Sequence, residues 1–344
     1  MKKFVLGLFL ILLVSGCAGM PDILKGIIPG TGSNVNKTEL SPDLIVIQNL
    51  NVIPTPPINA EDQFSVSFEM KNQDEINEVR DINYTLYDWG LCSPDETEGD
   101  KINGIIPSLA PLQTEFKQWV FNAPNNAQIA HLSAKCPIRF KVNYNYITAS
   151  QIDFDVISED RLKQLQRAGT PPSFTPSLTI GRGPIKISFS FGAELPIKSN
   201  KTLPFFITVE DKGTGLFGTI KNETLAITFP EGSSEINCPK FSCGVGKLET
   251  DYCKVYYSNP KFPAICDANN DGKVDISDVV LLLQIPACVN TEEILIIKKN
   301  SPQLRCSFNV PTAEVEKTFF ISGYIDYNYD VNGETSVDIK PTLT

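Results

Sequence analysis

Alternating apolar and polar residues mark short segments from about residue 43 onward, and this pattern returns in the same order later in the chain. Phe64, Val66 and Phe68, for example, alternate with polar residues. A period of two places successive side chains on opposite faces of a strand. Each segment therefore predicts a strand of an antiparallel sheet with one buried and one solvated face.

Four segments match between the two halves, which predicts a tandem repeat. The most specific match is Tyr144-Asn145-Tyr146, which returns as Tyr327-Asn328-Tyr329. A general likeness among β-proteins explains the alternation, but it explains the shared order and tripeptide poorly. The other matches pair Phe64, Val66 and Phe68 with Phe205, Ile207 and Val209; Ile82, Tyr84 and Leu86 with Leu225, Ile227 and Phe229; and Phe121 with Phe308.

The expected fold class is all-β, with two β-sandwiches joined by a short helix. Ser158 can cap that helix, and Gly169 with the prolines that follow would end it. Each repeat resembles an immunoglobulin-like β-sandwich in its pattern of strands, although the Cys…Trp…Cys spacing of true immunoglobulin domains is missing. The expected divisions are 1–17 as a signal peptide, 18–40 as a flexible tether, 41–157 as sandwich 1 (repeat 1), 158–171 as a helical linker and 172–344 as sandwich 2 (repeat 2).

The first residues predict export. Lys2 and Lys3 precede the apolar run from Phe4 to Val14, which is too short to span a bilayer and typical of a signal peptide. The run leads into Leu13-Val14-Ser15-Gly16-Cys17, which resembles a lipobox. The resemblance implies a lipoprotein whose Cys17 carries a diacylglyceryl anchor; ordinary cleavage with an incidental cysteine is the alternative. We expect a protein held at the membrane outside the cytoplasm, on the cell surface.

Repeat 2 contains an insert of about 44 residues between Phe229 and Phe308, placed at about 236–290. Within it, residues 267–278 alternate oxygen-bearing side chains around Gly272, which permits a sharp turn. Such a loop supplies the roughly six to eight oxygen ligands that Ca²⁺ requires. The expected ligands, with Lys273 acting through its carbonyl, are Asp267, Asn269, Asp271, Lys273, Asp275 and Asp278.

This loop resembles the calcium-binding, EF-hand-like repeat of a dockerin, in which Asp is normal at position 12, held here by Asp278. The segment before the loop contains Pro260 and Pro263, which disfavour a preceding helix. Dockerins that bind cohesin use two such repeats, and this chain has one. The loop is therefore expected to be a structural clamp, and a docking role remains the alternative.

Nine cysteines fit the same compartment, because lipidation of Cys17 leaves an even number for disulfide bonds. We expect Cys92 to pair with Cys136, and Cys266 with Cys288 around the calcium loop. The pairing of Cys238, Cys243, Cys253 and Cys306 stays open, and a four-thiolate zinc site formed by these four is the rival interpretation. Asn-X-Thr triplets make candidate glycosylation sites of Asn36, Asn83, Asn200 and Asn222.

No pattern for catalysis stands out. The chain has a single histidine, His131, which excludes most catalytic triads and His-based zinc hydrolases. Asp153 and Asp155 are the best carboxylate pair, but they fit a solvated strand face better than a glycosidase site. A net charge of −10 gives no reason to expect nucleic acid.

We therefore expect a non-enzymatic, calcium-stabilised surface lipoprotein. It would present sandwich loops for adhesion or for contact with the envelope, with a protein or glycan as partner. The alternative is a dockerin-like component of a calcium-dependent surface assembly, tied to polysaccharide breakdown. Two carboxylates converging in a deep cleft would instead favour an enzyme.

Overall fold

The computed structural model describes residues 43–170, 172, 174–245 and 286–342, and it confirms the all-β class. Strands are antiparallel with few exceptions, and most show the expected alternation of burial. The strands are β1 (Ile45–Ile53), β2 (Ile58–Asn59), β3 (Gln63–Asn72), β4 (Val79–Asp88), β5 (Ser93–Pro94), β6 (Asn103–Leu109), β7 (Thr114–Asn122), β8 (Ala134–Ile157), β9 (Leu178–Ile180), β10 (Ile185–Phe191), β11 (Ile197–Lys198), β12 (Thr202–Asp211), β13 (Thr219–Ile220), β14 (Leu225–Thr228), β15 (Ser234–Asn237), β16 (Phe241–Val245), β17 (Pro286–Asn290), β18 (Ile294–Leu295), β19 (Leu304–Asn309) and β20 (Glu316–Lys340).

Each repeat contributes one four-stranded sheet, and the two sheets have matching strand orders. Repeat 1 forms β1-β3-β7-β5, and repeat 2 forms β10-β12-β19-β15. The matched apolar segments occupy corresponding strands, β3 in the first sheet and β12 in the second. The recurring order in the sequence therefore corresponds to a recurring order of strands in space.

A third sheet of ten strands joins the two repeats. Its main path is β16-β17-β14-β20-β8-β4-β6, so strands of repeat 2 and repeat 1 meet at β20 and β8. All 24 residues of β8 pair with β20 in one antiparallel ladder. The two Tyr-Asn-Tyr tripeptides lie opposite each other at its centre, where Asn145 faces Asn328.

Each of the two long strands, β8 and β20, extends from its own repeat into the other repeat. The second half of β8 carries Phe154, whose ring lies 5.3 Å from Phe191 and 6.1 Å from Phe308 in repeat 2. The last residues of β20 pair with β8 on one side and with β2 of repeat 1 on the other, where Ile58 lies opposite Ile339. In the same way, β11 of repeat 2 pairs with the end of β8. Each repeat thus completes the other, and the two sandwiches share one framework.

Aromatic side chains fill both interiors. In repeat 1, the rings of Phe68 and Phe140 lie 4.2 Å apart and both contact Trp119. In repeat 2, Phe205 and Phe229 pack edge to face against Phe308. Such pairs bury large apolar areas, and burial of that area is the main stabilising contribution to a sandwich core.

The chain passes from repeat 1 to repeat 2 through α1 (Glu159–Arg167). Ser158 is its N-cap and accepts a hydrogen bond from the Arg161 N–H, as expected from the sequence. None of the helix residues is buried. No helix in the described part of the chain is long and apolar enough to cross a membrane.

Candidate functional site

The insert of repeat 2 is attached to a hairpin at one edge of the ten-stranded sheet. β16 pairs with β17 in antiparallel register from Phe241↔Asn290 to Val245↔Pro286. The chain therefore leaves the sheet after residue 245 and returns to it at residue 286 at neighbouring positions. The expected calcium ligands lie in the interval between, outside the described residues, as do the lipidation candidate Cys17 and the glycosylation candidate Asn36.

Two disulfide bonds hold the base of this insert. Cys243 and Cys288 are directly opposite in the β16–β17 pairing and form a bond, with their Cα atoms 4.1 Å apart. Cys238 is bonded to Cys306 of β19, which ties the segment before β16 to the four-stranded sheet of repeat 2. These bonds connect the insert to both sheets of its sandwich.

The expected bond between Cys266 and Cys288 is wrong in this structure, because Cys288 is bonded to Cys243. Proximity along the chain suggested Cys266. The decisive factor is the register of β16 against β17, which places Cys243 opposite Cys288. The expected Cys92–Cys136 bond of repeat 1 is confirmed, with a Cα separation of 5.8 Å.

The cysteines at the insert base also bear on the rival zinc interpretation. The sulfur atoms of Cys238, Cys243 and Cys288 lie within 4.8 Å of one another. Zinc binds thiolates, whereas each of these sulfurs is bonded in a disulfide here. Cys238 and Cys306 of the proposed zinc set are bonded to each other, and Cys253 lies outside the described residues.

A buried polar network surrounds the centre of the β8–β20 ladder, and sequence reasoning did not assign it. On one side, the Tyr146 hydroxyl donates to Asp74 Oδ2 at 2.9 Å. Arg182, which precedes β10 of repeat 2, forms an ion pair with Asp74 at 3.3 Å. The Asp74 side chain is fully buried, so this pair binds the start of repeat 2 to a loop of repeat 1.

The other side repeats this arrangement with the roles of the repeats reversed. The Tyr329 hydroxyl donates to Asp211 Oδ1 at 3.0 Å. Asp43, which precedes β1 of repeat 1, accepts hydrogen bonds from the Thr214 N–H and from its hydroxyl. In each repeat, a loop that follows the second long strand therefore binds a residue that lies just before the first long strand of the other repeat.

Burial raises the pKa of the tyrosines in this network. In all four tyrosines, burial places the pKa well above the usual value of 10; these are Tyr144, Tyr146, Tyr327 and Tyr329. Neighbouring carboxylates raise the pKa further at three of the four, because they repel a phenolate. Burial also raises the pKa of Asp211, while the hydrogen bond from Tyr329 opposes that change.

The described glycosylation candidates differ in accessibility. Asn200 and Asn222 are exposed and lie outside strands. Asn83 lies within β4, is half-buried, and donates its side-chain N–H to the Asp81 carbonyl at 3.0 Å. The first two positions suit a glycan better than Asn83 does.

The residues considered for catalysis lie in a loop and on a strand. His131 is exposed in the loop before β8. Asp153 and Asp155 lie on β8, where Asp153 accepts from Gln151 at 2.9 Å and Asp155 from Thr318 at 2.5 Å. Both carboxylates are bound to neighbouring polar groups on one strand face.

Neither a protein-family model nor a curated protein sequence matches this chain.

Proposed function

We propose that this chain is an exported, lipid-anchored surface protein without catalytic activity, and that its fused sandwiches display a calcium-binding insert and loops to a partner. The observation that carries the proposal is the β16–β17 hairpin. It fixes the two attachment points of residues 246–285 side by side at a sheet edge and joins them through the Cys243–Cys288 bond. An insert attached in this way is suited to display from the sheet edge.

Three disulfide bonds within the described residues support export, since such bonds persist in oxidising compartments. The pattern Asp267 to Asp278 supports calcium as the ion of the insert. In this proposal Ca²⁺ stabilises the insert, and the partner is a protein or glycan at the cell surface. The immunoglobulin-like character of each sandwich belongs to the same proposal and is supported by the matching four-stranded sheets.

A dockerin-like docking role is the alternative, and one experiment separates the two. Residues 18–344 are used to capture partners from a native envelope extract in calcium and then in chelator. If a partner stays bound in chelator while the melting temperature of the chain falls, the result supports a structural role for the calcium loop, in which Ca²⁺ stabilises the insert without binding the partner. A partner released by chelator and lost in Asp271→Ala favours docking through the insert. Lys101→Ala, at an exposed position outside the insert, is the matched control.

A further inference from the structure

The hairpin tip after β18 contains two adjacent lysines in an unfavourable backbone conformation. Ile297 and Asn300 exchange two backbone hydrogen bonds, of 2.8 and 3.1 Å, which closes a two-residue turn. Lys298 has φ 50° and Lys299 has φ 68°. Such turns prefer Asn and Gly, because a Cβ atom disfavours the left-handed region. Two exposed lysines therefore occupy positions at which Asn or Gly would suit the backbone better.

Exposed apolar side chains accompany these lysines. Leu295 is 60% exposed and Ile297 is 64% exposed, two positions apart on the same segment. Leu216 is 64% exposed and belongs to the neighbouring loop. That loop is held against the hairpin by the bond from the Ile296 N–H to the Gly218 carbonyl, at 2.9 Å. We define the basic-apolar tip by its residues Leu216, Leu295, Ile297, Lys298 and Lys299.

The N-terminal segment joins the fold beside this tip. Asp43, the first described residue, is bound by Thr214, two positions before Leu216. The Lys299 ammonium donates to the Gly213 carbonyl, in the same loop. Asp43 lies 26 positions after Cys17, so the expected anchor lies at most about 90 Å from Asp43 along the chain. The tip is thus on the part of the fold to which the tether leads.

We propose that the basic-apolar tip is a membrane-contact surface that binds anionic lipid headgroups with its lysines and places its apolar side chains in the interface. Apolar side chains beside cations are the chemistry that interfacial binding requires. The net charge of the chain is −10, so the two lysines of the tip are cations on an acidic protein, and an anionic bilayer attracts these groups. The tip therefore orients the protein on the membrane. The geometry of this membrane contact rests on the lipid anchor of the proposed function.

The test separates the tip from the anchor. It uses residues 18–344, which contain every described residue and lack Cys17 and the apolar leader. Binding is measured by sedimentation with phosphatidylcholine vesicles, with and without phosphatidylglycerol. We expect binding to the anionic vesicles alone. In Lys298→Glu/Lys299→Glu, we expect the binding constant to fall by at least about tenfold.

Two further variants distinguish loss of binding from loss of folding. Asn tolerates positive φ, so Lys298→Asn should keep or raise the melting temperature while it weakens vesicle binding. Ile297→Ser should weaken binding by removing an apolar contact. The matched controls are Leu132→Ser, at another exposed apolar position, and Lys101→Glu. Both should bind as the unmodified chain does.

Equal binding to neutral and anionic vesicles, or unchanged binding by the folded tip variants, would overturn the proposal. Loss of a soluble partner by those variants, with vesicle binding retained, would assign the tip to a protein instead. Lipidation is measured separately, by mass spectrometry of the N-terminal peptide from the full chain. An unmodified Cys17 would count against the anchor and leave the vesicle result standing.

Discussion

Asn145 lies directly opposite Asn328 at the centre of the ladder that joins the two repeats. Around this pair, Tyr146 binds Asp74 and Tyr329 binds Asp211, so the network repeats with the roles of the two repeats exchanged. The halves of β8 and β20 beyond the centre each complete the opposite sandwich. The folded unit is therefore the pair of repeats rather than either one alone.

Phe154→Ala should destabilise the whole chain, because a residue of repeat 1 fills the interior of repeat 2. We expect the free energy of unfolding to fall by about 3–5 kcal/mol, with one cooperative transition in chemical denaturation. Phe116→Ala is the control, since Phe116 is 55% exposed and should change stability far less. Two separate transitions, with only one shifted, would show that the repeats unfold independently.

Tyr329→Phe should destabilise the chain by about 1–3 kcal/mol, because the buried carboxylate of Asp211 loses a hydrogen-bond donor. Tyr87→Phe removes an equivalent hydroxyl from a side chain that is 51% exposed, and it should have little effect. Urea denaturation of both variants measures the difference. If Tyr329→Phe were as stable as the unmodified chain, this result would contradict a structural role for the central network.

Stability should fall steeply above about pH 10. Burial raises the pKa of Tyr144, Tyr146, Tyr327 and Tyr329 in the folded chain, whereas these tyrosines ionise near pH 10 in the unfolded chain. Above that pH the unfolded state holds fewer protons, so each tyrosine lowers stability by about 1.4 kcal/mol per pH unit until its folded pKa is reached. Near-ultraviolet absorbance of tyrosinate should show these four ionising only as the chain unfolds. Reversible ionisation at the usual tyrosine pKa in the folded chain would contradict their burial.

Peptide mapping without reduction should recover three linked pairs: Cys92 with Cys136, Cys238 with Cys306, and Cys243 with Cys288. Removal of the first bond frees the unfolded chain to adopt more conformations. For its separation of 44 residues, the chain-entropy estimate is a loss of about 4 kcal/mol of stability. Thermal denaturation of Cys92→Ala/Cys136→Ala measures this loss. A peptide linking Cys266 to Cys288 would contradict the arrangement at the insert base.

Local sequence patterns predicted the strands well and their partners poorly. Alternation in Phe64 to Phe68 and in Phe205 to Val209 indicates a buried face, and both segments lie in central strands of their sheets. Alternation does not show which strand of the chain pairs with which other strand in the sheet. The pairing of Asn145 with Asn328 is nonlocal, so the pattern predicted a repeat but not the fusion of its two copies.

One signal for the fusion was present in the sequence. After Tyr146 the alternation is interrupted, and it resumes at Ile152, Phe154 and Val156 without a Gly or Pro that would end the strand. The resulting strand of 24 residues exceeds the usual length of about 3–10 residues. A strand of that length extends past a single sandwich. The polar network was harder to foresee, because Asp74 and Arg182 are 108 positions apart and meet only through the fold.

The calcium insert tests the proposed function most directly. Isothermal titration of residues 18–344 with Ca²⁺ should show one bound ion, and the melting temperature should rise with calcium. Asp267→Ala/Asp271→Ala should abolish both effects, and Asp153→Ala, on β8, should retain them. Absence of calcium binding and of any thermal shift in the unmodified chain would contradict a calcium-stabilised surface protein.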